Sequence, residues 1–133
     1  MGCCQTKYDV NAPVWYPPIK KGKVIKVYDG DTFWIVSKIN GQDYKFNIRT
    51  FGYDSPELRS KDVEERKAGQ EARDYVADKI LNKVVKIEVI KKKEKYGRIL
   101  AKIYFHGKCL NDEMVEKGYG IPYDGGKKKK FKG

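Results

Sequence analysis

The chain has few cysteines and a single histidine. Its 133 residues include three Cys and one His. Three cysteines, two of them adjacent at Cys3 and Cys4, cannot form a framework of disulfides, and one His excludes a metal site built from several histidines. The sequence therefore predicts a protein of a reducing compartment whose chemistry depends on other side chains.

Long apolar runs are also missing. No segment approaches the roughly 18 consecutive apolar residues of a membrane-spanning helix, and no charged-then-apolar start with a small-residue cleavage site predicts a signal peptide. Acidic residues are the minority charge: 29 Lys and Arg against 18 Asp and Glu give a net charge of +11. Because 40% of the residues are hydrophobic, the chain can still bury one core. We expect a small basic domain with a polyanionic partner.

Composition divides the chain into three segments. Residues 1–18 contain three prolines and no periodicity, which predicts a flexible arm. Residues 19–123 carry the apolar patterns of a folded unit. Residues 124–133, DGGKKKKFKG, predict a solvated basic tail. Three roles remain open for this tail: solubility, contact with nucleic-acid phosphates and contact with anionic lipid.

Hydrophobic periodicity predicts five strands and two helices. The predicted strands are 22–28, 32–39, 42–50, 84–91 and 98–105. The predicted helices are 63–81 and a shorter one at 110–117 that stops at Gly118. This order is typical of an α+β, mainly β fold, a five-stranded OB-type Greek-key barrel; an open antiparallel sheet has the same local pattern. Aromatic residues of the strands are expected in the core: Tyr28, Phe33, Trp34 and Phe46.

Carboxylates and arginines are concentrated in three short stretches. They are DGDT (29–32), RTFGYDSPE (49–57) and KYGR (95–98). Asp31, Asp54 and Glu57 are hard oxygen donors, which suit Ca²⁺ or Mg²⁺ and argue against zinc. Arg49 and Arg98 are permanently charged forks that match phosphate oxygens. Each stretch alone is equally typical of a turn or a helix start, but together they supply what in-line attack on a phosphodiester requires.

The three motifs, in this order and at these spacings, resemble the staphylococcal nuclease family over about residues 20–123. The resemblance implies an OB barrel and calcium-dependent cleavage of DNA and RNA with little sequence preference. Water would attack phosphorus and leave a 3′-phosphate. The implied metal ligands are Asp31, Asp54 and the carbonyl of Ser55. Glu57 would hold the attacking water, as general base or only as orienter.

The same resemblance implies the substrate contacts. Arg49 and Arg98 would clamp the phosphate, with Arg98 nearer the leaving oxygen. Lys95 would add a phosphate contact, Tyr96 would contact the terminal phosphate of the substrate, and Tyr123 would stack on a base.

The first six residues, MGCCQT, match the N-myristoylation pattern M-G-x-x-x-[ST]. Myristate on Gly2 with palmitate on Cys3 or Cys4 would anchor the chain stably, whereas one acyl chain binds only marginally. Three lysines would add attraction to anionic lipid: Lys20, Lys21 and Lys23. This interpretation predicts the cytoplasmic face of a membrane in a eukaryotic cell or a virus-infected eukaryotic cell. The alternative is a soluble cytoplasmic protein in which Met-Gly is merely a common start.

Three functions compete at this point. The leading hypothesis is a membrane-tethered nuclease acting on single-stranded or locally melted DNA and RNA, with no obligate protein partner. The alternative is a catalytically silent OB-type nucleic-acid-binding module, and a third is a membrane scaffold with an inert barrel. The carboxylates favour the nuclease, because they repel phosphate unless a cation intervenes.

Overall fold

A computed structural model describes residues 7–92 and 94–123, apart from the side chain of Lys95. The elements follow in the order β1 (Lys21–Asp29), β2 (Thr32–Ile39), β3 (Gln42–Thr50), β4 (Tyr53–Asp54), α1 (Val63–Ile80), β5 (Val84–Val89), a 3₁₀ turn (Lys95–Gly97), β6 (Ile99–Phe105), β7 (Lys108–Cys109), α2 (Leu110–Glu116) and β8 (Ile121–Pro122). The predictions from residues 1–6 and the basic tail of 124–133 lie outside the described residues.

The five long strands close into a barrel. They pair in the order β3-β2-β1-β5-β6, and a parallel pairing of β3 with β6 completes the ring. At this seam Ile48 lies beside Ile99 and Thr50 beside Ala101, so Arg49 is held within the closing pair of strands. The closed barrel with two helices confirms the predicted mainly β, OB-type fold. It also decides against an open sheet, which the local patterns had left possible.

Turn residues account for the hairpins and helix ends. Asn40 and Gly41 have φ of 51° and 83°, as a tight two-residue hairpin between β2 and β3 requires. The Asp62 carboxylate caps α1 by accepting hydrogen bonds from the N–H groups of Glu64 and Glu65 at 2.9 and 3.4 Å. The two-residue strands β4, β7 and β8 were not predicted, since so short a segment has no periodicity.

The core lies between the inner faces of the strands and one face of α1. That face comprises Gly69, Ala72, Val76 and Ile80. Phe33 is fully buried as predicted, but the predictions for Tyr28 and Trp34 were wrong, since these side chains are 48% and 37% exposed. Successive strand residues face opposite sides. Trp34 therefore faces outward between Phe33 and Ile35, which face inward.

The segment before the barrel runs without helix or strand from residue 7 to 20. Its end is nonetheless packed, because Pro17 and Ile19 are buried. Trp15, by contrast, is 71% exposed. No helix within the described parts of the chain is long and apolar enough to cross a membrane.

Candidate active site

A cleft of about 750 Å³ opens beside the end of β3 and the start of β6. All the predicted site residues whose side chains are described line it: Asp31, Arg49, Asp54, Ser55, Glu57, Tyr96, Arg98 and Tyr123. The backbone of Lys95 belongs to the 3₁₀ turn at the same cleft, while its side chain is outside the description. The lipidation candidates Gly2, Cys3 and Cys4 precede the described residues.

The turn between β1 and β2 places Asp31 at the floor of the cleft. The Asp31 N–H donates to the Asp29 carboxylate at 3.0 Å. The buried Tyr53 hydroxyl donates to the carbonyl of Gly30 at 2.6 Å, and the Thr50 N–H donates to the carbonyl of Asp31 at 2.9 Å. This turn is therefore fastened to the end of β3 through both a side chain and the backbone.

Arg49 is the buried cation of the site. Its Nη1 donates to the carbonyls of Thr50 and Tyr53, each at 2.8 Å, and lies 3.3 Å from Asp31 Oδ2. Its Nη2 donates to the Asp54 carboxylate. The side chain is only 9% exposed. Because successive residues of a strand face opposite sides and Ile48 is buried in the core, Arg49 faces away from the apolar core, into a polar pocket where its guanidinium contacts carbonyls and carboxylates.

Carboxylates outnumber this cation. Asp31 and Asp54 are 8% and 7% exposed, and the Ser55 N–H donates to Asp31 at 2.9 Å. Burial, followed by the neighbouring Asp31 carboxylate, raises the pKa of Asp29 to about 7. A raised pKa is the expected result of burying several negative groups together. The pocket therefore has an excess of negative charge that a bound cation would offset.

The donor atoms in the cleft are oxygens. Within residues 7–92 and 94–123, no three His, Cys, Asp or Glu side chains are gathered closely enough to hold a metal ion. Asp31 and Asp54 are joined by Arg49 instead, and Glu57 is exposed on the cleft wall. Two buried carboxylates with the adjacent carbonyl of Ser55 nevertheless form a donor set that fits a hard cation such as Ca²⁺ better than zinc.

Arg98 reaches the cleft from the 3₁₀ turn. Its Nε donates to Glu94 at 2.7 Å, its Nη2 forms an ion pair with the same carboxylate, and its Nη1 lies 3.4 Å from the Thr32 hydroxyl. The neighbouring Tyr96 is 88% exposed, with its ring centroid 5.5 Å from the Arg98 guanidinium. Glu94 was not predicted, although an acidic residue four positions before an arginine is a recognisable signal.

Gly69 was also missed. A Cβ built on this residue in the middle of α1 would lie 2.7 Å from the carbonyl oxygen of Pro56. The absent side chain therefore lets α1 pack directly against the backbone next to Glu57. A glycine inside a helical pattern was the available signal.

Asn111 supports the pocket from behind. Its side-chain oxygen accepts from the Ile103 N–H at 2.9 Å, and its Nδ2 donates to the carbonyls of Phe51 and Ala101 at 2.6 and 3.1 Å. One buried amide thus connects α2 to β6 and to the segment that follows Arg49. Nothing in the local sequence identifies this role.

Comparison with known families gives one match that covers most of the chain. Residues 47–132 match the family described as "Staphylococcal nuclease homologue". The matched range includes Arg49, Asp54, Glu57 and Arg98. It does not include the turn carrying Asp31, which the fold brings to Arg49.

The chain is similar to several curated proteins of bacteria. A thermonuclease of Staphylococcus hyicus is 35% identical over 97 residues, which is 72% of this chain and 55% of that protein. An uncharacterized protein of Bacillus anthracis is 34% identical over 103 residues, with 76% and 46% covered. An uncharacterized endonuclease of Haemophilus influenzae is 30% identical over 101 residues, with 76% and 51% covered. The chain spans about half the length of these relatives.

Proposed function

The chain belongs to the staphylococcal nuclease family, and on that premise we propose that it is a calcium-dependent nuclease. It would hydrolyse phosphodiester bonds of DNA and RNA with little sequence preference and leave 3′-phosphates. The observation that carries the proposal is a single cleft whose lining includes all five charged residues of the predicted set: Arg49, Arg98, Asp31, Asp54 and Glu57.

The cation is proposed to bind with the substrate. Asp31, Asp54 and the carbonyl of Ser55 would hold it, since they are the buried oxygen donors of the cleft. When bound, Ca²⁺ polarises the phosphate oxygens and stabilises their negative charge. Without a cation, these carboxylates repel a phosphate.

The arginines are proposed to bind the phosphate by charge-assisted hydrogen bonds. Arg98 is bound to the side chains of Glu94 and Thr32, so it can exchange a carboxylate for a phosphate without disturbing the backbone. Arg49 is held by two backbone carbonyls, which keep its guanidinium in place as the substrate enters. Both arginines would stabilise charge that develops on the phosphoryl oxygens.

Glu57 is proposed to orient the attacking water and to accept its proton. The water oxygen would form a bond to phosphorus while the bond to the 5′ oxygen breaks, and the 5′ oxygen would leave beside Arg98 and take up a proton from solvent to become a hydroxyl. Glu57 is exposed on the cleft wall, where water reaches it. Glu57→Gln is expected to keep calcium and substrate binding but to lose most turnover; unchanged cutting would remove Glu57 from the mechanism.

The substrate is proposed to be single-stranded or locally melted. Tyr123 and the exposed Tyr96 both line the cleft. The Tyr123 ring would stack on a base, which must not be paired within a duplex, and Tyr96 would contact the terminal phosphate. Lys95, between Glu94 and Tyr96, would add a contact to phosphate.

The test is cleavage of single-stranded DNA by the purified chain with calcium and then with excess chelator. Cutting that needs calcium and is lost in Arg98→Ala supports the proposal.

The second candidate, a silent nucleic-acid-binding module, is favoured by the observation that no three ligating side chains converge within the described residues. Binding without cutting under any divalent metal would establish that candidate instead.

The membrane tether is a separate proposal, based on the first six residues. Acyl chains on Gly2 and on Cys3 or Cys4 would hold the protein on the cytoplasmic face of a eukaryotic membrane. Gly2→Ala is expected to move the protein from the membrane fraction to the soluble fraction. Persistent membrane association of this variant would mean that myristate is not the anchor.

A further inference from the structure

A group of lysines lies where β1 and β5 begin. The strand register places Lys21 opposite Lys86 and Lys23 opposite Val84. The Ile87 N–H donates to the carbonyl of Lys20 at 2.8 Å, which extends the pairing by one residue. We call this surface the lysine face. Its members are all exposed: Lys20, Lys21, Lys23, Lys83, Val84 and Lys86.

The lysine face carries uncompensated positive charge. Like charges directly opposite each other on neighbouring strands are destabilising, yet Lys21 and Lys86 are such a pair. None of the ion pairs among the described residues involves a lysine of this face. The nearest acidic residue along β5, Glu88, lies opposite Lys102 instead. An anionic partner would relieve the repulsion.

The lysine face and the cleft lie at opposite ends of β1. Lys21 begins this strand and Asp29, in the wall of the cleft, ends it. A nine-residue strand spans at most about 26 Å, and two irregularities in the pairing of β1 with β2 shorten this span. An anion bound at the lysine face therefore leaves the cleft open.

Apolar side chains approach the lysine face along the chain. Val14 and Trp15 are 57% and 71% exposed, and the chain then passes through buried Ile19 into Lys20. Val84, within the face itself, is 58% exposed. Lysines around an exposed aliphatic side chain, with an exposed tryptophan a few residues away along the chain, are typical of proteins that lie on a bilayer, because Trp occupies the headgroup region and Lys attracts anionic lipid.

We propose that the lysine face binds the surface of a membrane containing anionic phospholipid and directs the cleft away from the bilayer. A nucleic-acid track would combine lysines with exposed rings for base stacking. Tyr104, which lies opposite Lys86, and Phe105, whose ring centroid is 5.4 Å from the Lys83 ammonium, are both half-buried, whereas the side chain exposed within the face is the aliphatic Val84. The proposal rests on the membrane-tethered nuclease proposed above, to which it adds an orientation.

The test uses the full chain without acyl groups, so that protein and lipid headgroups alone determine binding. Phosphatidylcholine vesicles with and without phosphatidylserine are sedimented with the wild type and with Lys21→Glu/Lys86→Glu. The wild type is expected to bind only the phosphatidylserine vesicles, and less strongly at high salt. Removing two lysines lowers the partition coefficient by about thirtyfold or more.

The matched control is Lys61→Glu/Lys67→Glu, which makes the same charge change beside and on α1. It is expected to bind phosphatidylserine vesicles within about threefold of the wild type if the surface position matters more than net charge. Equal loss in both variants, or none in Lys21→Glu/Lys86→Glu, overturns the proposal.

Oligonucleotide assays separate this proposal from the nuclease. Lys21→Glu/Lys86→Glu is expected to bind and cut a short single-stranded oligonucleotide as the wild type does. Weaker oligonucleotide binding with unchanged vesicle binding would assign the face to nucleic acid and overturn the lipid proposal. Vesicle binding by a chain that cuts no substrate would instead refute the nuclease and leave the lysine face intact.

Discussion

The two arginines of the cleft are held by different kinds of contact. Arg49 lies in the closing seam of the barrel, is 9% exposed and donates to two backbone carbonyls as well as to Asp54. Arg98 follows a 3₁₀ turn, is 22% exposed and, within the described parts of the chain, donates hydrogen bonds to side chains only, those of Glu94 and Thr32. The Arg49 guanidinium is therefore held by the backbone of the barrel, whereas the Arg98 guanidinium is held by side chains at the edge of the cleft.

This difference separates what an arginine contributes to the stability of the fold from what it would contribute to cleavage. Removing Arg49 leaves two buried carboxylates without their cation in a poorly solvated pocket, which destabilises the folded state. Removing Arg98 leaves one carboxylate, that of Glu94, which is 15% exposed, so the loss of stability is smaller. Loss of activity alone cannot distinguish the two arginines, whereas stability can.

The largest expected effects test that distinction directly. Arg49→Ala and Arg98→Ala should each lower the cleavage rate by about a thousandfold, because each removes a donor to the phosphoryl oxygens. Arg49→Ala should also lower the free energy of unfolding by about 4 kcal/mol, whereas Arg98→Ala should lower it by about 2 kcal/mol or less. Initial rates on single-stranded DNA and urea unfolding measure the two quantities. Similar unfolding midpoints for both variants would remove the difference between the arginines.

A smaller loss of stability is expected when Asn111, which contacts the segment after Arg49, is replaced. Asn111→Ala removes the side-chain partner of the Phe51 carbonyl and of the Ile103 N–H, while the Ala101 carbonyl keeps its hydrogen bond from the Phe51 N–H, so we expect a loss of about 3 kcal/mol in unfolding free energy. Asn47→Ala is the matched control, since the Oδ1 of Asn47 has no hydrogen-bond partner among the described residues. It should lose about 1 kcal/mol or less. Thermal or urea unfolding measures both losses. Equal losses of stability in the two variants would contradict the proposed contribution of Asn111.

The smallest effect is expected at Tyr96, on the exposed side of the cleft. Tyr96 is 88% exposed and has a φ of 68°, so Tyr96→Ala removes little packing and should leave stability unchanged. Loss of a contact to the terminal phosphate of the substrate should raise KM for single-stranded DNA by about tenfold, with kcat preserved. Steady-state kinetics test this, with Tyr44→Ala on the outer face of β3 as the control. A fall in kcat alone would place Tyr96 in the chemical step.

Much of the fold could be predicted because its signals are local. Asn40 and Gly41 determine a hairpin through their own backbone preferences, and the apolar spacing through Val76 and Ile80 defines the buried face of α1. Trp34 shows where such signals fail. An aromatic residue favours a strand, but the face on which it lies follows from its register with Lys26 and Asn47 on the adjacent strands.

The candidate site was predicted as a set of residue types and not as an arrangement. Carboxylates and arginines in three motifs indicated phosphate chemistry with a hard cation, and their side chains line one cleft. The partners that hold them were not predicted. Glu94 had a weak local signal, and Asn111 had none because its contacts are with residues 8 to 60 positions away.

The order of the long strands and the helices, the net charge and the kinds of side chain available for a site could all be predicted from the sequence alone. Each of these properties depends on neighbouring residues or on simple counts. Only the tertiary structure decided which arginine is buried, which carboxylates share it and which lysines face one another. Those properties arise when the parallel seam of β3 and β6 and the register of β1 with β5 bring distant segments together. Exposure, pairing and repulsion depend on distances through space, which spacing along the chain does not specify.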